Sequence, residues 1–264
     1  MARTQSGFGL VAPWGWALGG ALMGLGLALV LFAPAHWLAG AIGQASAGRV
    51  VLDEPRGTVW SGSARLLLTG GAGSNDIAAL PGRLQWTLRP AWGGVRARID
   101  ADCCTPQPLL FASRLRWGGL DLSLADGQSQ WPAAILAGLG TPWNTLQVQG
   151  TIELSAQGLS VEWVEGRLAI AGRAELRAQR LSSRLSTLRP MGSYRITLNG
   201  GPTPTIQLDT LEGSLQLSGS GQWVGSRLHF SGEASAAPDR EAALTNLLNI
   251  IGRRSGARSI ITIG

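Results

Sequence analysis

From Trp60 to Ile263 apolar and polar residues alternate with a period of two, run after run, and this confines most of the chain to one-sided β-sheet. In Thr145–Ser155 the residues Leu146, Val148, Ile152 and Leu154 point one way, while Thr145, Gln147, Gln149, Thr151, Glu153 and Ser155 point the other. Arg167–Ala178 sets Leu168, Ile170, Ala174 and Leu176 against Arg167, Arg173, Glu175 and Arg177. Leu215, Leu217 and Trp223 oppose Ser214, Gln216, Ser218, Ser220 and Gln222, with Gly219 and Gly221 on the apolar side. Glycines in mid-run, Gly150 and Gly172 among them, mark where strands bend. Leu84, Trp86 and Leu88, then Leu115 and Trp117, then Leu120, Leu122 and Leu124 follow the same grammar, and Pro81-Gly82, Gly93-Gly94 and Asp126-Gly127 supply turns between runs. Roughly a dozen antiparallel strands in a meander are expected. The fold class is mainly β: a large antiparallel domain, curved or sandwich-like, with one apolar and one polar face. Alternation alone leaves open whether the apolar face closes into a core or stays open as a groove.

Two segments break the pattern. Trp131–Leu139 predicts a short helix with Ile135, Leu136 and Leu139 on one side. Asp239–Ile251 predicts a better one, because Leu244, Leu247, Leu248 and Ile251 have helical spacing, Asp239 and Glu241 suit its N-terminal end, and Gly252 supplies a stop. That helix is expected to cover an open part of the sheet, with a last strand over Ser259–Ile263.

The N-terminal segment is of another kind. Between Arg3 and Arg49 there is no formal charge, and Gly15–Leu38 is apolar enough to cross a membrane as one helix. Trp14 and Trp16 stand at one edge and Trp37 at the other, as amphipathic rings do at headgroup level. Gly15 with Gly19, and Gly20 with Gly24, form two small-xxx-small pairs that let another membrane helix approach. A cleaved secretory signal is the competing reading, since Ala33-Pro34-Ala35 faintly resembles a cleavage site, but the apolar run is longer than such a signal needs. The expected organisation is a cytoplasmic N-terminus and anchor over residues 1–40, and one β-rich domain over 41–264. Positive charge flanks the span on both sides, so orientation rests on signal-anchor logic: N-terminus in, long domain exported.

Composition excludes much chemistry. All 22 basic residues are arginine, against 16 acidic ones, and there are two histidines, His36 and His229. A P-loop lysine, a Schiff-base lysine, an HExxH zinc site and a nucleophile elbow are therefore absent. The reading is of a protein that is not an enzyme and takes no cofactor or metal. The net charge of +6 is spread singly over strands, as in Arg96 and Arg98, or Arg114 and Arg116, which a solvated sheet face explains without nucleic acid. Its partners are expected to be proteins and membrane lipids, with no oligomeric state indicated.

Cys103 and Cys104 are the only thiols. In an oxidising compartment two cysteines ordinarily pair, yet neighbouring Cα atoms lie about 3.8 Å apart, below the usual disulfide range. Two buried thiols, a vicinal disulfide and a link between chains all stay open.

Two stretches carry a resemblance. Gly57–Leu68 (GTVWSGSARLLL), with Gly57, Trp60 and Gly62, and Leu244–Gly264 (LTNLLNIIGRRSGARSIITIG), with Gly252, Arg253, Arg254 and Gly256, are similar to the corresponding parts of protein N of the bacterial type II secretion system. The resemblance implies a bitopic inner-membrane protein of a Gram-negative cell with a periplasmic body. It would be an accessory part of the machine that exports folded proteins across the outer membrane, linking or stabilising its components. No catalytic residues are carried over from it. The strand grammar also resembles lipid-handling grooves of the AsmA and TamB kind, which makes a membrane-anchored lipid-binding protein the alternative.

Overall fold

A computed structural model describes residues 14–164, 167–225 and 227–264. Arg3 and the expected cytoplasmic end lie outside the described residues. The chain opens with helices α1 (Trp14–Leu31) and α2 (Ala35–Ala45). Strands β1 (Val50–Gly57), β2 (Ser61–Thr69), β3 (Ile77–Ala79), β4 (Leu84–Ala91), β5 (Gly94–Ala101), β6 (Leu109–Arg116), β7 (Gly119–Leu124) and β8 (Gly127–Pro132) follow. A 3-10 helix (Ala133–Leu139) and α3 (Trp143–Leu146) precede two long strands, β9 (Gln149–Val164) and β10 (Arg167–Ser182). Then come β11 (Gly192–Gly201), β12 (Thr205–Gly213), β13 (Leu215–Val224), β14 (Arg227–Ala236), α4 (Glu241–Ile251), β15 (Arg253–Ser255) and β16 (Arg258–Ile263).

All the strands join one antiparallel sheet in nearly sequential order, β1-β2-β4-β5-β6-β7-β9-β10-β11-β12-β13-β14-β16-β15. The meander is thus as expected, and the sandwich alternative gives way to a single sheet. β9 is long enough that β7 pairs its C-terminal half and β8 its N-terminal half. Where the two halves meet, Gly158 (φ 56°) and Gly172 (φ 82°) face each other across a register shift, and both strands bend there. A Cβ on Gly172 would collide with the backbone of Gly158.

Cross-strand partners share a face, so the registers carry one apolar surface from Leu52 and Leu66 through Trp86, Ile99, Phe111, Leu124, Val161 and Ile170 to Leu176, Ile196, Leu208, Leu217 and Ala234. Three helical pieces cover it in patches. α2 lays Ala35, Leu38, Ala39 and Ile42, an i, i+3, i+4, i+7 stripe, over Leu52, Ala64 and Trp86. The 3-10 helix sets Ile135 over Leu80, Ala101 and Cys104. α4 places Leu244, Leu247 and Leu248, all buried, over Tyr194, Leu215 and Ala234.

Several expectations are corrected. One helix over Gly15–Leu38 does not form. Pro34 lacks the N–H that would continue α1, so the chain breaks at Phe32–Pro34 and restarts as α2, whose stripe binds the sheet. Trp37 is therefore on the outer side of α2 and not at the end of a span. Among the described residues no helix is long and apolar enough to cross a membrane. The predicted strand Thr145–Ser155 starts only at Gln149, because Leu146 closes the one-turn helix α3 and Gln147 turns left-handed at φ 41°. The helix expected from Trp131 begins at Ala133 and winds as 3-10, Trp131 being spent on β8. Trp117 stands in a turn, not in a strand. Gly252 follows α4 in extended conformation, φ −165°, and is no left-handed stop; its lack of a Cβ lets Ile260 lie against it.

Candidate functional site

The first family-like stretch builds the joint between helices and sheet. Gly57 takes φ 87° at the end of β1, and Thr58 and Ser61 close the turn into β2. The Trp60 indole donates to the Val30 carbonyl at 2.7 Å, satisfying one of the orphan acceptors at the C-terminal end of α1. Val59 N–H donates to Ala33 O at 2.8 Å, and Pro34 bridges to Thr58. Gly62 is bare because the Trp86 ring lies where a Cβ would be, 2.5 Å from its Cζ2, and Trp86 Nε1 donates to Val59 O at 3.0 Å. The motif is a latch that fixes where α1 leaves the sheet. α1 itself is uncharged, and Trp14 and residues 16–31 are exposed; at Gly19, Gly20 and Gly24 a Cβ would meet nothing within 4 Å.

The second family-like stretch forms the far edge of the sheet. Arg253 and Arg254 are exposed on β15, Gly256 (φ 64°) turns the chain, and β15 pairs only Arg258–Ile260 of β16. Ile261–Ile263 have strand pairing on the β14 side alone among the described residues. Arg258 binds Glu233 at 3.1 Å, and the buried Ser259 hydroxyl donates to Leu248 O at 2.6 Å, tying β16 to α4. The opposite edge, β1, is blunted by Pro55 and by a bulge at Glu54 (φ 45°), whose carboxylate meets Arg56, Arg65 and Arg83. The two motifs thus sit at the two ends of the strand order and do not converge.

Between the helical covers the apolar face is bare. Leu115, Leu120, Leu122 and Trp163 on β6, β7 and β9 are exposed, Leu115 at 73%. On the polar face an open concavity of about 810 Å³ is walled by Thr87, Arg89, Arg96, Arg98 and Leu110. Cys103 and Cys104 form a vicinal disulfide in the turn after β5, with Cys104 buried under Ile135 and Cys103 exposed. The turn is held by Cys104 and Thr105 N–H groups donating to Ala101 O, and by Gln130 N–H donating to Cys104 O. Among the described residues no group of three His, Cys, Asp or Glu side chains could hold a metal ion.

Among the described residues, the environments of Tyr194 and Glu175 displace their pKa values. Burial pushes the Tyr194 hydroxyl well above its ordinary range while it donates to Leu215 O at 3.1 Å. Burial also works to raise the Glu175 carboxyl, but the Arg177 hydrogen bond with the charges of Arg177, Arg173 and Arg195 outweighs it, leaving a net lowering from 4.5. Because the folded value is lowered, the group's stabilisation is present above about pH 4.5 and is lost as pH falls further. E175Q is expected to flatten the acid limb of a thermal-denaturation series while changing the neutral-pH stability by only about 0–1 kcal/mol; an unchanged acid limb would count against this assignment.

A family model for the type II secretion system, protein N, matches residues 48–261. The chain belongs to the type II secretion system protein N family. No curated protein and no solved structure matches it. In this member of the protein N family the matched region contains every strand through β15 and most of β16, including the latch turn after β1 and the arginine edge. Alternation by itself singles out neither Trp92 nor the cross-strand pairing of Arg89 with Arg96. Their signal is a tryptophan in a Gly-Gly turn, where no core can receive it.

Proposed function

We propose that this protein N family member is a membrane-tethered scaffold of the type II secretion assembly, held in the inner membrane by α1 with its sheet in the periplasm. Family membership carries the reading. α1 supports the tether: its 18 residues carry no charge and rise about 27 Å at ~1.5 Å each, and an exposed apolar helix of that kind is held in lipid rather than in water even where it does not reach across the about 30 Å hydrocarbon core. The exposed Gly20 and Gly24 on α1 suit a neighbouring membrane helix. The docking element for other secretion components is the β15–β16 edge, where Ile261–Ile263 offer backbone for strand addition and Arg253 and Arg254 offer charge.

The test is recovery of the full chain from native membranes with quantification of co-purified secretion components. R253E/R254E is expected to cut that recovery by about tenfold with stability changed by no more than about 0.5 kcal/mol. Wild-type recovery of no secretion component would refute the scaffold.

The bare strip around Leu115, Leu122 and Trp163 favours a second reading, an acyl-chain groove. Lipid extracted from the purified protein and counted by mass spectrometry separates the two, since a pure scaffold carries no stoichiometric lipid.

A further inference from the structure

The latch turn after β1 and the tips of the β4–β5 and β6–β7 hairpins lie on one rim of the sheet. Ser61 pairs with Thr87, so walking up β4 toward its turn runs parallel to the approach to the latch, and the pairing of Gly94 with Arg114 carries the same rim to the next tip. The disulfide turn, the 3-10 helix and the loop before β11 occupy the other rim. At the tips on the latch rim stand Trp92 and Trp117, both fully exposed. A tryptophan at a Gly-Gly turn contributes nothing to the core, and two on successive hairpins form an aromatic pair aimed away from the protein.

Just behind Trp92, Arg89 and Arg96 are directly opposed on the polar face of β4 and β5. Like charges in that position destabilise a sheet. Among the described residues neither forms an ion pair, although Arg98 beside them binds Asp100 at 3.0 Å. The pair borders the open concavity, so two guanidinium groups converge on solvent at the foot of an exposed indole. On the apolar face of the same rim Leu115 and Trp163 are also bare. Indole at the tip, guanidinium one step behind and aliphatic side chains on the flank are what the headgroup layer of an anionic bilayer receives: rings at the interface and arginines on phosphate oxygens.

We infer that this hairpin rim lies against the anionic membrane surface beside α1, with Trp92 and Trp117 in the headgroup layer and Arg89 and Arg96 on lipid phosphates. The inference rests on reading α1 as the tether. A second contact holds the sheet at a fixed tilt on the bilayer, where a single helix would let it swing.

The test uses the full chain in vesicles, carrying an environment-sensitive fluorophore on W92C, with L22C and, in the loop before β11 on the other rim, T187C as reference positions; the native cysteines are paired and do not take the label. Vesicles are phosphatidylcholine alone or mixed with phosphatidylglycerol, with a headgroup-level spin-label quencher. The label at 92 is expected to be quenched in anionic vesicles and the label at 187 to stay unquenched. R89A/R96A should shift the docked fraction's equilibrium down by about fivefold per arginine, about 25-fold together. The same loss should follow from moving to neutral vesicles. Vesicle flotation with a lipid-buried label at 22 and a label at 92 no more quenched than that at 187 overturns the rim contact and leaves the tether standing. Failure to float overturns the tether and the rim contact together. A lipid-insensitive label at 92 that becomes shielded only when secretion components are added makes the rim a protein surface and overturns the inference.

Discussion

W86A is expected to lower the unfolding free energy by about 3–5 kcal/mol, the range for emptying a large aromatic site in a packed core. Trp86 is 4% exposed and its ring fills the place of the missing Gly62 side chain, against Ala64, Leu52 and the α2 stripe. Its indole also holds Val59 O, so truncation leaves that carbonyl without its donor. The damage goes beyond volume, because Val59 is the residue whose N–H binds Ala33 in the joint to α1. W86F loses both the N–H and the part of the bicycle that lies against Gly62, and should cost about 2–3 kcal/mol, less than W86A because a six-membered ring still fills part of the site. Denaturant unfolding of the detergent-solubilised chain measures both. A loss below about 1 kcal/mol for W86A would mean that the latch does not depend on this ring.

L248A is the second large effect, about 2–5 kcal/mol, since Leu248 is 1% exposed at the centre of the patch that α4 covers. A spectroscopic reporter accompanies it. Tyr194 is the one tyrosine of the sequence, and burial beneath this patch pushes the pKa of its hydroxyl up. With the folded value raised above the ordinary 10, its share of stability is constant below about pH 10 and is lost as pH climbs beyond. Tyrosinate absorbance in the wild type is therefore expected to appear only with alkaline unfolding. In L248A it should appear at lower pH, as water reaches the hydroxyl. Identical titration curves for the two proteins would refute the cover by α4.

The sheet is legible in the sequence because its period is long and regular: Leu168, Ile170, Ala174 and Leu176 share the core face, and Gly172 bends the strand, as the alternation predicts. α4 is legible from Leu244, Leu247 and Leu248. The division between α1 and α2 is not, because both sides of the break are apolar and hydropathy does not distinguish a stripe bound to a sheet from a face bound to lipid. Pro34 carries the signal, but in its Ala-Pro-Ala setting it reads as part of a cleavage site. β15 is too short to show a period, and β8 merges with the helix that follows it. Alternation also places Trp117 in a strand, since a tip residue continues the count of the strand before it. The cysteine pair stays open in sequence because spacing alone disfavours a bridge that the turn after Ala101 accommodates.

Apart from β4, β8 and β15, every strand pairs with its predecessor in sequence, so the sheet can be assembled largely hairpin by hairpin in the order of synthesis, each new edge serving as template for the next. The roof of the core comes last. The apolar patch over Tyr194, Leu215 and Ala234 is complete once β14 has joined, but its cover, α4, follows it in the chain and is held down by β16. A nascent chain therefore passes through a stage with a finished sheet and an unroofed core, and that interval is when it needs a chaperone most.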